Sequence, residues 1–223
     1  MLSLICSGAA ARPSDHLTEG AAACREAAKA GDTEALRAAC LPGREAGNRV
    51  DGYNLALGLA PTDPEAAMDH LLWAAAGGLA EAAHLVGNML LDAGDTTAGL
   101  KELEAAAEAG LALAQYDYAT ALFEHHGPEA REAILFWYGQ AAAGGEESAR
   151  YNLGVLHLEG LLAPPDPLRA WAWMASLEQL EGHPEVYRLV NRLAREMSRP
   201  DRRRAEALLE AIRQDPGTAV ITP

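Results

Sequence analysis

Residues 141–160 read AAAGGEESARYNLGVLHLEG. An alanine run ends in a glycine pair; a charged stretch, an aromatic residue and two more glycines follow. Two readings compete: a loop that cradles a phosphate, and a corner between two helices. Copies decide between them. Residues 74–92 read AAAGGLAEAAHLVGNMLLD, and residues 105–124 read AAAEAGLALAQYDYATALFE. Aligned on Gly78, Gly110 and Gly145, each copy carries two alanines at −4 and −3 and another at +4 (Ala82, Ala114, Ala149). An apolar or aromatic residue stands at +8 (Val86, Tyr118, Leu153), a small one at +9 (Gly87, Ala119, Gly154), and an acid at +14 (Asp92, Glu124, Glu159). The spacings are 32 and 35 residues, and a worn copy at Gly182 adds 37.

A period in the thirties with helical patterning means stacked helix pairs. The glycine closing each alanine run suits a helix C-cap, where positive φ is needed. The positions four residues apart share one face, as burial requires. A phosphate loop would be singular and would follow a strand. This motif is plural and lies between helices, so it is a corner. The partner helices have matching starts at Asp63-Pro64, Gly127-Pro128 and Asp166-Pro167, where proline suits a first helical turn.

These residues resemble the Sel-1-like repeat family, relatives of tetratricopeptide repeats. The family pattern runs roughly A-x-x-x-L-G-x-x-Y, a glycine-containing loop, then K-A-x-x-W-x-x-K-A-A-x-x-G. Trp137, Ala141, Ala142, Gly145, Ala149, Leu153 and Gly154 fall in register, and Ala170 with Trp173 match again. Ala119 replaces the glycine in one copy, and the loop after Leu91 lacks the G-x-G-V element. The resemblance covers about 62–182. It implies an all-α, right-handed α/α solenoid of antiparallel helix pairs, about four to five repeats long, with adaptor or scaffold work. Some bacterial members look like periplasmic immunity proteins that neutralise a secreted effector such as a lipase.

Composition agrees with an all-α fold. The chain has 223 residues, 49% apolar, but only 5% aromatic, with alanine dominant. Alanine is the best helix former and lets helices approach closely, and runs of β-branched residues are missing. Five segments are expected: residues 1–16 as a signal-peptide remnant or disordered N-terminus, 17–60 as N-terminal helices with a diverged repeat around Gly31, 61–182 as the repeats, 183–213 as C-terminal capping helices, and 214–223 as a loose tail. The start, MLSLICSGAAARP, holds an apolar run and a small-residue Ala9-Ala10-Ala11 site but no positive n-region, so both readings of it stay open. Ile5 before Cys6 speaks against a lipoprotein.

Net charge is −14, which excludes nucleic acid as the expected partner. Residues 1–182 hold 26 acids and 10 bases, whereas 183–213 hold 5 acids and 8 arginines. No apolar stretch is long enough to span a membrane. The partner expected is another protein, one with a basic surface. Cys24 and Cys40 each lie eight residues from Asp32, where Gly31-Asp32 reads as a helix stop and start. A hairpin there sets the two cysteines at similar height, and a disulfide is expected between them. That bridge would need an oxidising compartment, so the periplasm is expected, with a cytosolic adaptor carrying free thiols as the alternative.

Nothing reads as catalytic. There is no G-x-S-x-G and no Walker-type loop, and Cys40 with a histidine matches no nucleophile signature. His125-His126 beside Glu124 sits in a presumed inter-helix loop without metal-ligand spacing. No metal, cofactor or enzymatic activity is expected; a hydrolase with an unrecognised site is the remaining alternative. Trp73, Trp137, Trp171 and Trp173 read as filling between layers. Binding is expected on the first helix of each pair, near residues 80–91, 112–123 and 147–158. Their off-core positions are read as His84, Asn88, Gln115, Asp117, Arg150 and Asn152, and the acids Asp92, Glu124 and Glu159 add a row of negative charge.

Overall fold

The alanine-glycine punctuation produces helix after helix. A computed structural model describes residues 22–178 and 180–219, and no strand occurs among them. The expected signal remnant and Cys6 lie outside these residues. Chain contacts divide the molecule into two compact units, one ending at Gly110 and the other beginning at Leu111.

The first unit holds α1 (Ala22–Ala30), α2 (Thr33–Glu45), α3 (Arg49–Leu59), α4 (Pro64–Ala76), α5 (Ala80–Asp92) and α6 (Thr96–Glu108). Helix α3 packs along α4, and α5 along α6. The second unit holds α7 (Ala112–His126), α8 (Arg131–Ala143), α9 (Glu147–Glu159) and α10 (Pro167–Ala175), then α11 (Pro184–Glu196), α12 (Arg199–Gln214) and the short α13 (Pro216–Ala219). Here α7 pairs with α8, and α9 with α10.

The corner that opened the sequence reading is a Schellman turn. Gly145 sits at φ 93; its N–H donates to Ala142 O and the Glu146 N–H to Ala141 O, at 3.2 and 2.9 Å, which satisfies carbonyls the helix end leaves open. Gly78 and Gly110 turn at φ 84 and 89. The alanines at +4 are all 0% exposed. The small residue at +9 admits the paired helix. A Cβ on Gly87 would lie 2.8 Å from Leu103 Cγ, and one on Gly154 would lie 2.6 Å from Met174 Cγ.

Aspartates start the partner helices. Asp63 accepts from Ala66 N, Asp95 from Ala98 N, and Asp166 from Leu168 N and Arg169 N, satisfying N–H groups without intrahelical partners. Gly127 offers no side-chain acceptor, and there the proline start was misread. A 3-10 turn occupies Gly127–Ala130, and α8 begins only at Arg131.

Two further observations concern the segments on either side of the repeats. Gly47 also turns at φ 92, and α3 that follows it pairs with α4 as the later first helices pair with theirs. The repeat-like pattern thus reaches back into residues 47–60. The tail is not loose throughout: α13 packs on α8 and α12.

Helices α1 and α2 form a hairpin against α3. Cys24 and Cys40 are bridged, with Cα atoms 4.7 Å apart, and both are fully buried beside Leu36, Leu55 and Leu59. At the other end of the chain, α11 buries Val186, Leu189, Val190 and Leu193 against Val155 and Met174. Its arginines, and those of α12, face solvent.

Candidate protein-binding surface

The expected binding residues separate into buried and exposed sets. In the first unit, His84 is 7% exposed and so belongs to the core rather than to the outer face. Its Nε2 lies 3.1 Å from Asn88 Nδ2, and Asn88 is half-buried. Asp92 is the last residue of α5 and is exposed.

In the second unit, Gln115 is 8% exposed and Asn152 0%. Both were assigned off-core positions and both are interior. Asn152 Nδ2 donates to the hydroxyls of Tyr116 and Tyr138, each at 3.3 Å, and Tyr138 OH also meets Thr120 Oγ1 at 2.9 Å. This polar knot ties α7, α8 and α9 together. Burial, with Tyr138 alongside, pushes the Tyr116 phenol up. Arg150 is half-buried: Nη1 donates to Ser176 O at 2.9 Å and Nη2 to Ala142 O at 3.3 Å. It closes the carbonyl ends of α8 and α10, a structural duty that favours a cation at those termini. Asp117 is half-buried, whereas Glu124 and Glu159 are exposed.

The physical reason for these corrections is shared. Each first helix packs along its partner helix, and within the second unit Tyr116 and Tyr138 of one pair reach Asn152 of the following pair, an enclosure that a single-helix pattern does not show. The recurrent acids escape because they close their helices. Asp92 and Glu159 are the last residues of α5 and α9, and Glu124 lies in the last turn of α7.

Sequence reasoning missed one concavity. In the second unit a cleft of about 410 Å³ is lined by Glu147, Ser148, Tyr151, Leu177, His183 and Glu185, among others. Its walls come from the starts of α9 and α11, more than 30 residues apart in the chain, so no local pattern pointed to it. Glu147 Oε1 accepts the Glu178 N–H at 2.8 Å. Burial, together with the Glu185 charge, raises the Tyr151 phenol.

The other chemical candidates fall differently. His125 and His126 lie in the last turn of α7, not in a loop, and are exposed. No group of three His, Cys, Asp or Glu side chains is arranged to hold a metal among the described residues. Cys40 is in the disulfide and offers no thiolate. Trp173 is 1% exposed, whereas Trp73, Trp137 and Trp171 are half-buried. Among the described residues, no helix is long and apolar enough to cross a membrane.

Comparison with protein-family profiles finds no match, and comparison with curated proteins finds none either. Among solved structures, the chain is similar to c5321, a protective antigen present in uropathogenic Escherichia coli strains that displays an SLR (Sel1-like repeat) fold. The TM-score is 0.66 and the identity 21%, with 84% of this chain covered. The chain spans 43% of that protein, less than half its length. At that identity the likeness is one of architecture. Helix pairs, glycine corners and the structural neighbour agree, and the fold of this chain is the Sel1-like repeat fold.

Proposed function

We propose that the protein is a binding module for another protein with a basic surface, and that it acts by binding rather than by catalysing a reaction. One observation carries the reading: the three acids that recur at +14, Asp92, Glu124 and Glu159, are exposed at the ends of successive first helices. A carboxylate near a helix C-terminus opposes the dipole by about 0.3–1 kcal/mol. Its recurrence is therefore better explained by an external partner than by helix stability. The carboxylates of Glu147 and Glu185 at the cleft in the second unit add charge of the same sign.

In its finer form, the partner is a secreted effector, such as a lipase, that the protein sequesters in the periplasm. The buried Cys24–Cys40 bridge supports an oxidising compartment. Co-purification from the native cell identifies the partner. The variant Asp92→Lys/Glu124→Lys/Glu159→Lys should then bind it more weakly and with a shallower dependence on salt. Unchanged affinity and an unchanged salt slope would remove the basis of this proposal. Quenching the cells in acid and alkylating the denatured protein should leave Cys24 and Cys40 unlabelled; labelled thiols would remove the export reading while leaving the binding reading intact.

A further inference from the structure

The first unit holds a cationic cluster that the acidic surface does not explain. The guanidinium carbons of Arg44 and Arg49 lie over the Trp73 ring, 4.7 and 3.9 Å from its centroid. Both cations thus contact one indole. Arg25, Lys29 and Arg37 of the same unit each reach a carboxylate. Among the described residues, Arg44 and Arg49 form no ion pair, although the whole chain is strongly acidic.

Part of the arrangement is structural. Arg49 Nη1 donates to Trp73 O at 3.4 Å, near the carbonyl end of α4. Arg44 has no such duty. Its Nε is shielded from solvent without a hydrogen-bond partner, and so is His70 Nδ1. His70 stands one turn before Trp73 on α4. Burial lowers its pKa, and the Arg44 charge lowers it further. Asp69 and Asp63 act the other way, while Arg37 acts with Arg44.

The sequence makes room for this cluster at a cost. Gly52 lies inside α3, where its φ is ordinary and alanine would suit the helix better. A Cβ there would stand 2.5 Å from Trp73 Cζ3 and 3.3 Å from Arg44 Cγ. Gly77 has φ −84, which any residue adopts, and a Cβ there would collide with the Arg49 guanidinium. Both glycines are explained by the space that Trp73 and the arginines occupy.

We propose that Arg44 and Arg49, with His70 beside them, form a receptor for a carboxylate group presented by a protein partner. A guanidinium held over an aromatic ring still carries N–H donors in its plane, and that donor edge matches a carboxylate in geometry and charge. Contact with the Trp73 ring restricts both side chains in advance, so less side-chain freedom is lost when the anion arrives. The receptor does not depend on the acids Asp92, Glu124 and Glu159.

The test is a titration of the isotope-labelled full chain, with acetate as the probe and chloride holding ionic strength constant. Acetate should move the Trp73 indole and His70 ring signals along a saturable curve. It should also raise the His70 midpoint, because a neighbouring anion favours the imidazolium. Arg44→Gln/Arg49→Gln should weaken the response about tenfold or abolish it. Should the double variant lose its fold, Arg44→Gln alone keeps the Arg49 clasp and should still weaken binding. Absence of a saturable shift, or an equal response in Arg44→Gln, would overturn the site. Tighter binding of inorganic phosphate than of acetate would overturn the carboxylate assignment.

Discussion

Asn152 shows how a polar side chain is misplaced when its helix is read alone. It falls off the +4/+8/+12 stripe of α9, so the pattern sends it to solvent. In the folded chain it is 0% exposed and holds the hydroxyls of Tyr116 and Tyr138 from two other helices. Periodicity reports which face of one helix is apolar; it does not report what a neighbouring pair brings. Asn152→Ala would leave two buried hydroxyls short of a donor and should cost about 1–3 kcal/mol, seen as a lower urea midpoint with unchanged helix content. An unaltered midpoint would mean that water replaces the amide. His157 makes a second residue-scale case. Burial and the nearby Arg169 charge hold its pKa down at about 4, with Arg131 adding to the effect and Asp166 opposing it. Its Nε2 has no hydrogen-bond partner. The unfolded chain takes up this proton near pH 6.5 and the folded chain only near 4, so acid favours unfolding. This contribution is fully present above about pH 6.5 and is lost as the pH falls towards 4, by about 1–3 kcal/mol. Urea midpoints at pH 7 and pH 5 should therefore lie closer together in His157→Gln than in the wild type. Equal separation in both would show that His157 is protonated in the folded state.

At the scale of the element, glycine spacing was the legible signal, because a helix corner needs a residue that tolerates positive φ. Alanine flanks made three of the corners easy to align. Gly47 makes the same turn at φ 92, yet it is preceded by Gly43 and Arg44 rather than two alanines, and Asp51 stands where the others have alanine. Asp51 is 2% exposed, and its carboxylate accepts from Asn48 Nδ2 at 2.8 Å. A buried acid paired within its own turn has replaced a methyl group, and alignment on alanines cannot find it. The cysteine hairpin was legible for the opposite reason. Asp32 caps α2 through Glu34 N and Ala35 N, and this fixes both the turn and the register of the two cysteines. The bridge closes a loop with a sequence separation of 16, for which chain entropy gives about 3 kcal/mol. Cys24→Ser/Cys40→Ser should lower the melting temperature, and hydrogen exchange should rise most in α1 and α2, which the bridge joins. Uniform loss of protection across both units would mean that the hairpin is not a local element.

At the scale of the whole molecule, charge acts on stability and on binding with opposite signs. A formal charge of −14 on 223 residues repels itself in the compact state. Screening relieves that repulsion, so raising ionic strength from about 0.01 M to about 0.3 M should raise the melting temperature. The same screening should weaken capture of a basic partner, because both surfaces lose their field. Reversing Asp92, Glu124 and Glu159 to lysine removes two negative charges at each position and takes the formal charge from −14 to −8. All three are exposed, and all three lie in the last turns of their helices, where a cation suits the dipole. The triple variant should therefore be more stable than the wild type at low salt, and the difference should shrink as salt is added. Its partner affinity should fall under the same conditions. A variant that is both less stable and weaker in binding would show that these carboxylates serve the fold, and that the loss of affinity is only a loss of folded protein.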